Sequence, residues 1–154
     1  MIEIRRAETE EDIAEVRGLW TEYWETLGFP FTFQGFGEQL SALPGEFSGP
    51  SGLLLLALLD SQPAGTVAVR PLREDACEVK RLYVPQRWRG EGLGRKLMLS
   101  AMEDARKRGC KVMYCDTLPT MGEAARLYES LGFERVEAYS EHPTPGAIYL
   151  RLVL

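Results

Sequence analysis

Histidine is almost missing from this chain: His142 is the single one among 154 residues. With so little imidazole, and with Cys77, Cys110 and Cys115 in no metal-ligand spacing, no zinc set can be assembled and no metal is expected. An odd cysteine count also argues against a framework of paired disulfides, so the three read as reduced thiols of a cytoplasmic protein. Long apolar runs are missing as well. The longest, Leu53–Leu59, falls far short of the roughly 20 residues of a membrane span and reads as a buried strand. The opening Met1-Ile-Glu-Ile-Arg-Arg6 carries charge where a secretory leader would be apolar, and no membrane partner is expected. Nor is there a surplus of basic charge. The 18 Lys and Arg against 23 Asp and Glu leave a net charge of −5, which disfavours nucleic-acid binding and suits a cationic partner such as an amine. What remains, 45% apolar and 27% charged, is the composition of an ordinary globular chain, and its length fits a single domain over residues 1–154.

Hydrophobic periodicity sets out the elements. Ile2-Glu-Ile-Arg5 alternates as a strand does, and Thr9-Glu-Glu-Asp12 resembles a capping box that opens a helix. In that helix Ile13, Val16, Leu19/Trp20, Tyr23/Trp24 and Leu27 recur at helical spacing, and Gly28 is a stop signal. Phe29 to Pro50 is rich in Phe, Gly and Pro, with room for one short helix over Glu38–Leu43. Leu53–Leu59, Ala64–Leu72 and Cys77–Val84 read as three successive strands, separated by the turns Asp60-Ser-Gln-Pro63 and Arg73-Glu-Asp75. A helix is expected over Leu93–Arg108, with Leu93, Leu97, Ala101 and Ala105 along one side, then a strand over Lys111–Thr117. A short helix over Glu123–Leu131 presents Ala124, Leu127, Tyr128 and Leu131. Two strands, Glu134–Tyr139 and Ala147–Leu154, flank the turn His142-Pro-Thr-Pro-Gly146. The order β-α-(α)-β-β-β-α-β-α-β-β has no internal repeat and predicts a mixed α/β (α+β) fold.

The informative segment is Glu78-Val-Lys-Arg-Leu-Tyr-Val-Pro-Gln-Arg-Trp-Arg-Gly-Glu-Gly-Leu-Gly94. A strand ends near Val84, a loop carries Arg87, Arg89, Gly90, Gly92 and Gly94, and a helix begins near Leu93. Glycines let backbone amides approach an anion closely, and a helix N-terminus adds unpaired N–H groups and the positive end of its dipole, so the loop is suited to a pyrophosphate. A P-loop would end in Gly-Lys-Ser/Thr, whereas the chain reads Gly94-Arg-Lys-Leu97. A dinucleotide loop would need Gly-x-Gly-x-x-Gly after an early strand in a βαβ unit, and neither spacing nor position agrees. The segment resembles instead the GNAT superfamily, the Gcn5-related N-acetyltransferases. Arg87-x-x-Gly90-x-Gly92, repeated two residues on as Arg89-x-x-Gly92-x-Gly94, is similar to that family's Arg/Gln-x-x-Gly-x-Gly/Ala signature, and Leu127-Tyr-Glu-Ser-Leu-Gly-Phe133 to its Leu-Tyr-x-x-x-Gly-Phe. The likeness covers Ile2–Arg6 and Leu53 to the C-terminus, and leaves Phe29–Pro50 unsupported.

The resemblance implies a mostly antiparallel central sheet with helices on both faces and acetyl-CoA as cosubstrate. It implies that the strand before the loop and the strand after its helix splay apart, with the pantetheine arm of acetyl-CoA lying along Leu82, Tyr83 and Val84 and facing Asp116 and Thr117. The amides of Arg89, Gly90, Glu91, Gly92, Leu93 and Gly94 would take the diphosphate, beside Arg87, and the Val84 amide would support the oxyanion. Acyl transfer from a thioester asks for a neutral amine, oxyanion support and a proton for the leaving thiolate. Tyr128 matches the family's general acid, although its helical stripe is also what plain packing would produce. A lysine-like amine is neutral only about once in 2,500 molecules at pH 7, so a base is wanted. Glu78 stands where some family members place one, and an ordinary exposed acid at a strand start would look the same. Glu22, Glu25, Tyr139, His142 and Tyr149 are further substrate-side candidates, and Tyr23–Phe36 is expected to shape the acceptor pocket. The expected activity is transfer of acetyl from acetyl-CoA to a primary amine of a small molecule or protein by direct attack, in a monomer or homodimer. A silent acyl-CoA sensor or a partner-binding module on the same fold is the alternative.

Overall fold

The computed structural model describes residues 1–119, 121–140 and 144–154. In chain order these form β1 (Ile2–Arg6), α1 (Glu10–Leu27), α2 (Phe36–Ala42), β2 (Leu53–Leu59), β3 (Gln62–Arg73), β4 (Ala76–Tyr83), α3 (Leu93–Lys107), β5 (Val112–Thr117), α4 (Gly122–Ser130), β6 (Glu134–Val136) and β7 (Ile148–Val153). The strands make one sheet of order β1-β2-β3-β4-β5-β7-β6. Every neighbouring pair is antiparallel except β4 and β5, which α3 joins in parallel. The mixed, mostly antiparallel architecture expected from the sequence is the one observed.

The apolar run of β2 is unbroken because both faces of the sheet are covered. Leu53, Leu55 and Ala57 pack with α3 residues Leu97, Met98 and Ala101, while Leu54, Leu56 and Leu58 pack with Val16, Trp20 and Trp24 of α1. Thr9 caps α1 by accepting the Asp12 amide at 3.1 Å, and Gly28 ends it at φ +73°.

Several boundaries move, each for a physical reason. Asp60 and Ser61 both take positive φ, 49° and 69°, so β2 and β3 meet in a two-residue hairpin and β3 starts at Gln62. Pro63 is tolerated inside it because the ladder is irregular at Ala57/Leu58, where an amide donor is dispensable. α2 begins earlier than Glu38, since Phe36 is fully buried and stacks on Trp24 with ring centroids 4.1 Å apart. β6 stops at Val136 rather than Tyr139, because Tyr139 leaves the sheet edge to hydrogen-bond Glu78. On α4 the buried positions are Ala125 and Tyr128, and Ala124 and Leu127 turn toward a cleft. Of the expected turn 142–146, Thr144, Pro145 and Gly146 are described and turn the chain, with the Ala147 amide bonding the Thr144 carbonyl at 3.1 Å, while His142 lies outside the described residues.

Candidate active site

The site starts from an irregularity in β4. Thr66 pairs with Tyr83 and Ala68 with Lys80, so a stretch of β4 one residue longer lies opposite β3: a bulge, with Arg81 at φ +57°. The bulge reverses the alternation of faces. Cys77 and Val79 sit in the α3 core, yet Tyr83, four residues on, packs in the α1 core, and the Arg81 guanidinium lies 4.8 Å from the Trp24 ring. The parallel ladder to β5 ends at Val79↔Cys115, so Lys80–Tyr83 and Asp116–Thr117 run on without pairing with each other. This opening is the splay that the resemblance implied.

A cleft of about 610 Å³ leads into it, lined by Leu82, Tyr83, Val84, Arg89, Gly90, Gly92, Leu93 and Gly94 on one side and by Gly122–Ala124, Arg126 and Leu127 on the other. Gly92 holds φ +75° as the residue before α3, and no side chain caps that helix, so its first-turn amides point outward unpaired. A Cβ at Gly90 or Gly92 would meet nothing within 4 Å, which leaves their backbones open to a ligand. Three residues expected to hold the cofactor do not line this cleft. Arg87 bonds Glu22 at 2.7 Å, Thr117 lines the adjoining recess, and Glu91 lies outside the cleft wall. Arg89 lines the cleft but is held by the Val84 carbonyl at 2.9 Å and paired with Glu123.

The adjoining recess is lined by Tyr23, Trp24, Phe29, Phe33 and Gln34 from the α1 side, Lys80, Arg81 and Leu82 from β4, and Asp116, Thr117 and Tyr128 opposite. The Tyr23–Phe36 segment thus does wall a pocket. Tyr128 is almost fully buried, and burial, reinforced by Cys115, Tyr23 and Asp116, holds its hydroxyl well above the ordinary phenol range. It stays protonated at neutral pH and can donate. Glu78, in contrast, lines neither recess nor cleft. It is buried, accepting from Arg70 Nε at 2.8 Å and from the Tyr139 hydroxyl at 2.7 Å, and is no exposed acid. Lys80 bridges it to the recess, its Nζ 3.9 Å from Glu78 and 3.6 Å from Asp116. Tyr149 packs edge-on against Tyr139, and His142 lies outside the described residues.

Lys80 and Arg81 are recess residues that sequence reasoning passed over, and Asp116, expected to face the pantetheine arm, lines the recess as the ion-pair partner of Lys80. One signal was available: Glu78-Val-Lys80-Arg81-Leu breaks the polar/apolar alternation at the bulge. Among the described residues no cluster of three or more His, Cys, Asp or Glu is placed to hold a metal ion, and no helix is long and apolar enough to cross a membrane.

Comparison with known proteins agrees with this geometry. The family profile described as "Acetyltransferase (GNAT) family" matches residues 14–133. An uncharacterized N-acetyltransferase of Schizosaccharomyces pombe is 35% identical over 153 residues, 98% of this chain and 94% of that protein. An acetyltransferase structure from Streptococcus agalactiae superposes with a TM-score of 0.83 at 18% identity, covering 99% of this chain and 98% of that one. The PaiA N-acetyltransferase of Thermoplasma acidophilum, solved in complex with coenzyme A, superposes at 0.79 with 18% identity, covering 100% and 99%.

Proposed function

This chain belongs to the GNAT acetyltransferase family, and from that premise we propose that it moves the acetyl group of acetyl-CoA to a primary amine by direct attack. The observation that carries the proposal is the continuity of two spaces: the cleft under the glycine loop and the recess holding Tyr128 share Tyr23, Leu27, Leu82 and Met121. A cofactor anchored at α3 can therefore present its far end beside Tyr128. The uncapped amides of α3 and the open backbones of Gly90 and Gly92 fit a diphosphate, and a neighbour of the same fold was solved with coenzyme A.

In this reading the Arg89–Gly94 amides hold the diphosphate, and hydrogen bonds to such a charged group contribute about 1.5–3 kcal/mol each. The Leu82–Val84 backbone, freed from β5 by the splay, aligns the pantetheine arm, and the Val84 amide supports the oxyanion. Tyr128 donates the proton that the departing sulfur needs, while the amine enters along the aromatic wall of α1. The amine's proton leaves through the carboxylates joined by Lys80: Asp116, which lines the recess, with Glu78 behind it. The test is calorimetry with acetyl-CoA, followed by CoA release with amines, amino acids, polyamines and aminoglycosides. Binding together with amine-dependent release is expected. Failure to bind acetyl-CoA, or release that ignores every amine, would overturn the proposal.

A further inference from the structure

Among the described residues, no carboxylate lies within ion-pair distance of Arg81. The residue is 8% exposed, and its Nε is buried without a hydrogen-bond partner among the described residues. One terminal nitrogen reaches Gln39 Oε1 at 2.8 Å and the other only a distant Gln34 Oε1 at 3.4 Å. Trp24, Phe36 and Trp20 lie against the guanidinium. The nearby charges are committed elsewhere: Arg70 holds Glu78 and Glu46, and Lys80 lies between Glu78 and Asp116. Arg81 is thus a recess guanidinium that contacts no carboxylate among the described residues, with Asp116 and Glu78 acting on it only at longer range. A buried ion without a counter-ion is costly to keep. The backbone adds to that cost, since Arg81 and its partner Gln34 both hold left-handed φ, 57° and 56°, where non-glycine residues are strained.

We propose that this guanidinium is the acceptor's anchor: the amine substrate carries a carboxylate, which docks on Arg81, so that the acceptor class is an amino acid or a similarly short amino carboxylate. The proposal rests on the acetyltransferase reading of the same recess. A guanidinium is suited to a carboxylate because its planar N–H groups match both oxygens. The size agrees. The recess has about 40 Å³ of free space, and since a water needs roughly 10–15 Å³ on that measure, it admits about three water-sized atoms, the number in a carboxylate. The cationic end of a polyamine would face Arg81 and Lys80 there.

Two arms test it. In the first, CoA-saturated protein is melted with L-amino acids and with the matching amino-acid amides, which keep the amine and lose the anion. At least one amino acid should raise the melting temperature where its amide does not; equal effects, or none from any amino acid, overturn the proposal. In the second, CoA release is followed for the same pairs. Arg81→Met should raise KM for the amino carboxylate by about 100-fold, the scale for losing one partner of a buried charge pair, with acetyl-CoA affinity unchanged. An unaltered KM overturns the proposal. Should Arg81→Met fail to fold, Arg81→Lys keeps the charge and loses the fork, and a KM unchanged in that variant is equally fatal. Amino-acid binding without any turnover would sink the acetyltransferase reading and leave the carboxylate site standing.

Discussion

A single hydroxyl separates two accounts of Tyr128. As a packing residue on α4 it contributes its ring, which lies 5.6 Å from that of Phe133, and Phe would replace it at little cost. As the acid it contributes its proton, and Tyr128→Phe should lower kcat by about 10²–10⁴ with acetyl-CoA affinity and melting temperature close to the parent's. A kcat within about threefold of the parent, under 1 kcal/mol in barrier, would leave packing as its whole role. Because burial raises the Tyr128 hydroxyl well above its usual range, no alkaline limb from this acid is expected in the pH–rate profile below pH 10. Asp116→Asn should lower kcat by about 10²–10⁴ if the carboxylate in the recess takes the amine's proton directly, and Glu78→Gln should do so if the buried member does. A kcat near the parent's in both variants would mean that water serves.

At the level of elements, the loop between β4 and α3 joins two requirements in one residue. Gly92 must be left-handed to turn the chain into α3, and under the proposed function its surroundings, which are open, must stay so for a diphosphate. Gly92→Asp violates both, whereas Gly92→Asn tolerates the left-handed backbone and adds no charge. Calorimetry should show acetyl-CoA binding weakened far more by Asp than by Asn, with both variants folded. Equal losses would trace the effect to backbone strain instead of the anion site. The bulge in β4 is the other element that makes the site. It places Arg81 and Tyr83 on the α1 side, where regular alternation would have sent them into the α3 core.

Across the whole molecule, the recess ties the two layers together and makes its stability sensitive to alkali. Tyr23 lies between α1 and the sheet, and burial is the main cause that pushes its hydroxyl up to about 12. A phenol raised in the folded state binds its proton more tightly there than in the unfolded chain, whose value is near 10. Its stabilisation is complete below pH 10 and is lost as pH climbs from about 10 to 12. Tyr23→Phe cannot ionise, so its stability should fall less steeply over that interval, by up to about 1.4 kcal/mol per pH unit. Urea unfolding of both proteins at pH 9, 10 and 11 measures the difference, and parallel declines would show that Tyr23 does not carry it.

The sequence by itself determined the element order, the two-sided core and the glycine-rich turn into α3, because each is written in local terms: period, glycine placement and helix signals between near neighbours in the chain. Leu53–Leu59 reads as a buried strand and is one, and Arg87–Gly94 reads as a turn into a helix and forms it. The tertiary structure alone decided what surrounds the reacting space. Whether Glu78 is an exposed acid or a buried partner of Arg70 and Tyr139 depends on residues 8 and 61 positions away. No local pattern encodes such separations. Likewise Lys80, Arg81 and Asp116 line one recess only because a one-residue bulge and the end of the β4–β5 ladder fall at the same level of the sheet. That coincidence is a property of strand register, which the pairing of distant segments sets and no single segment contains.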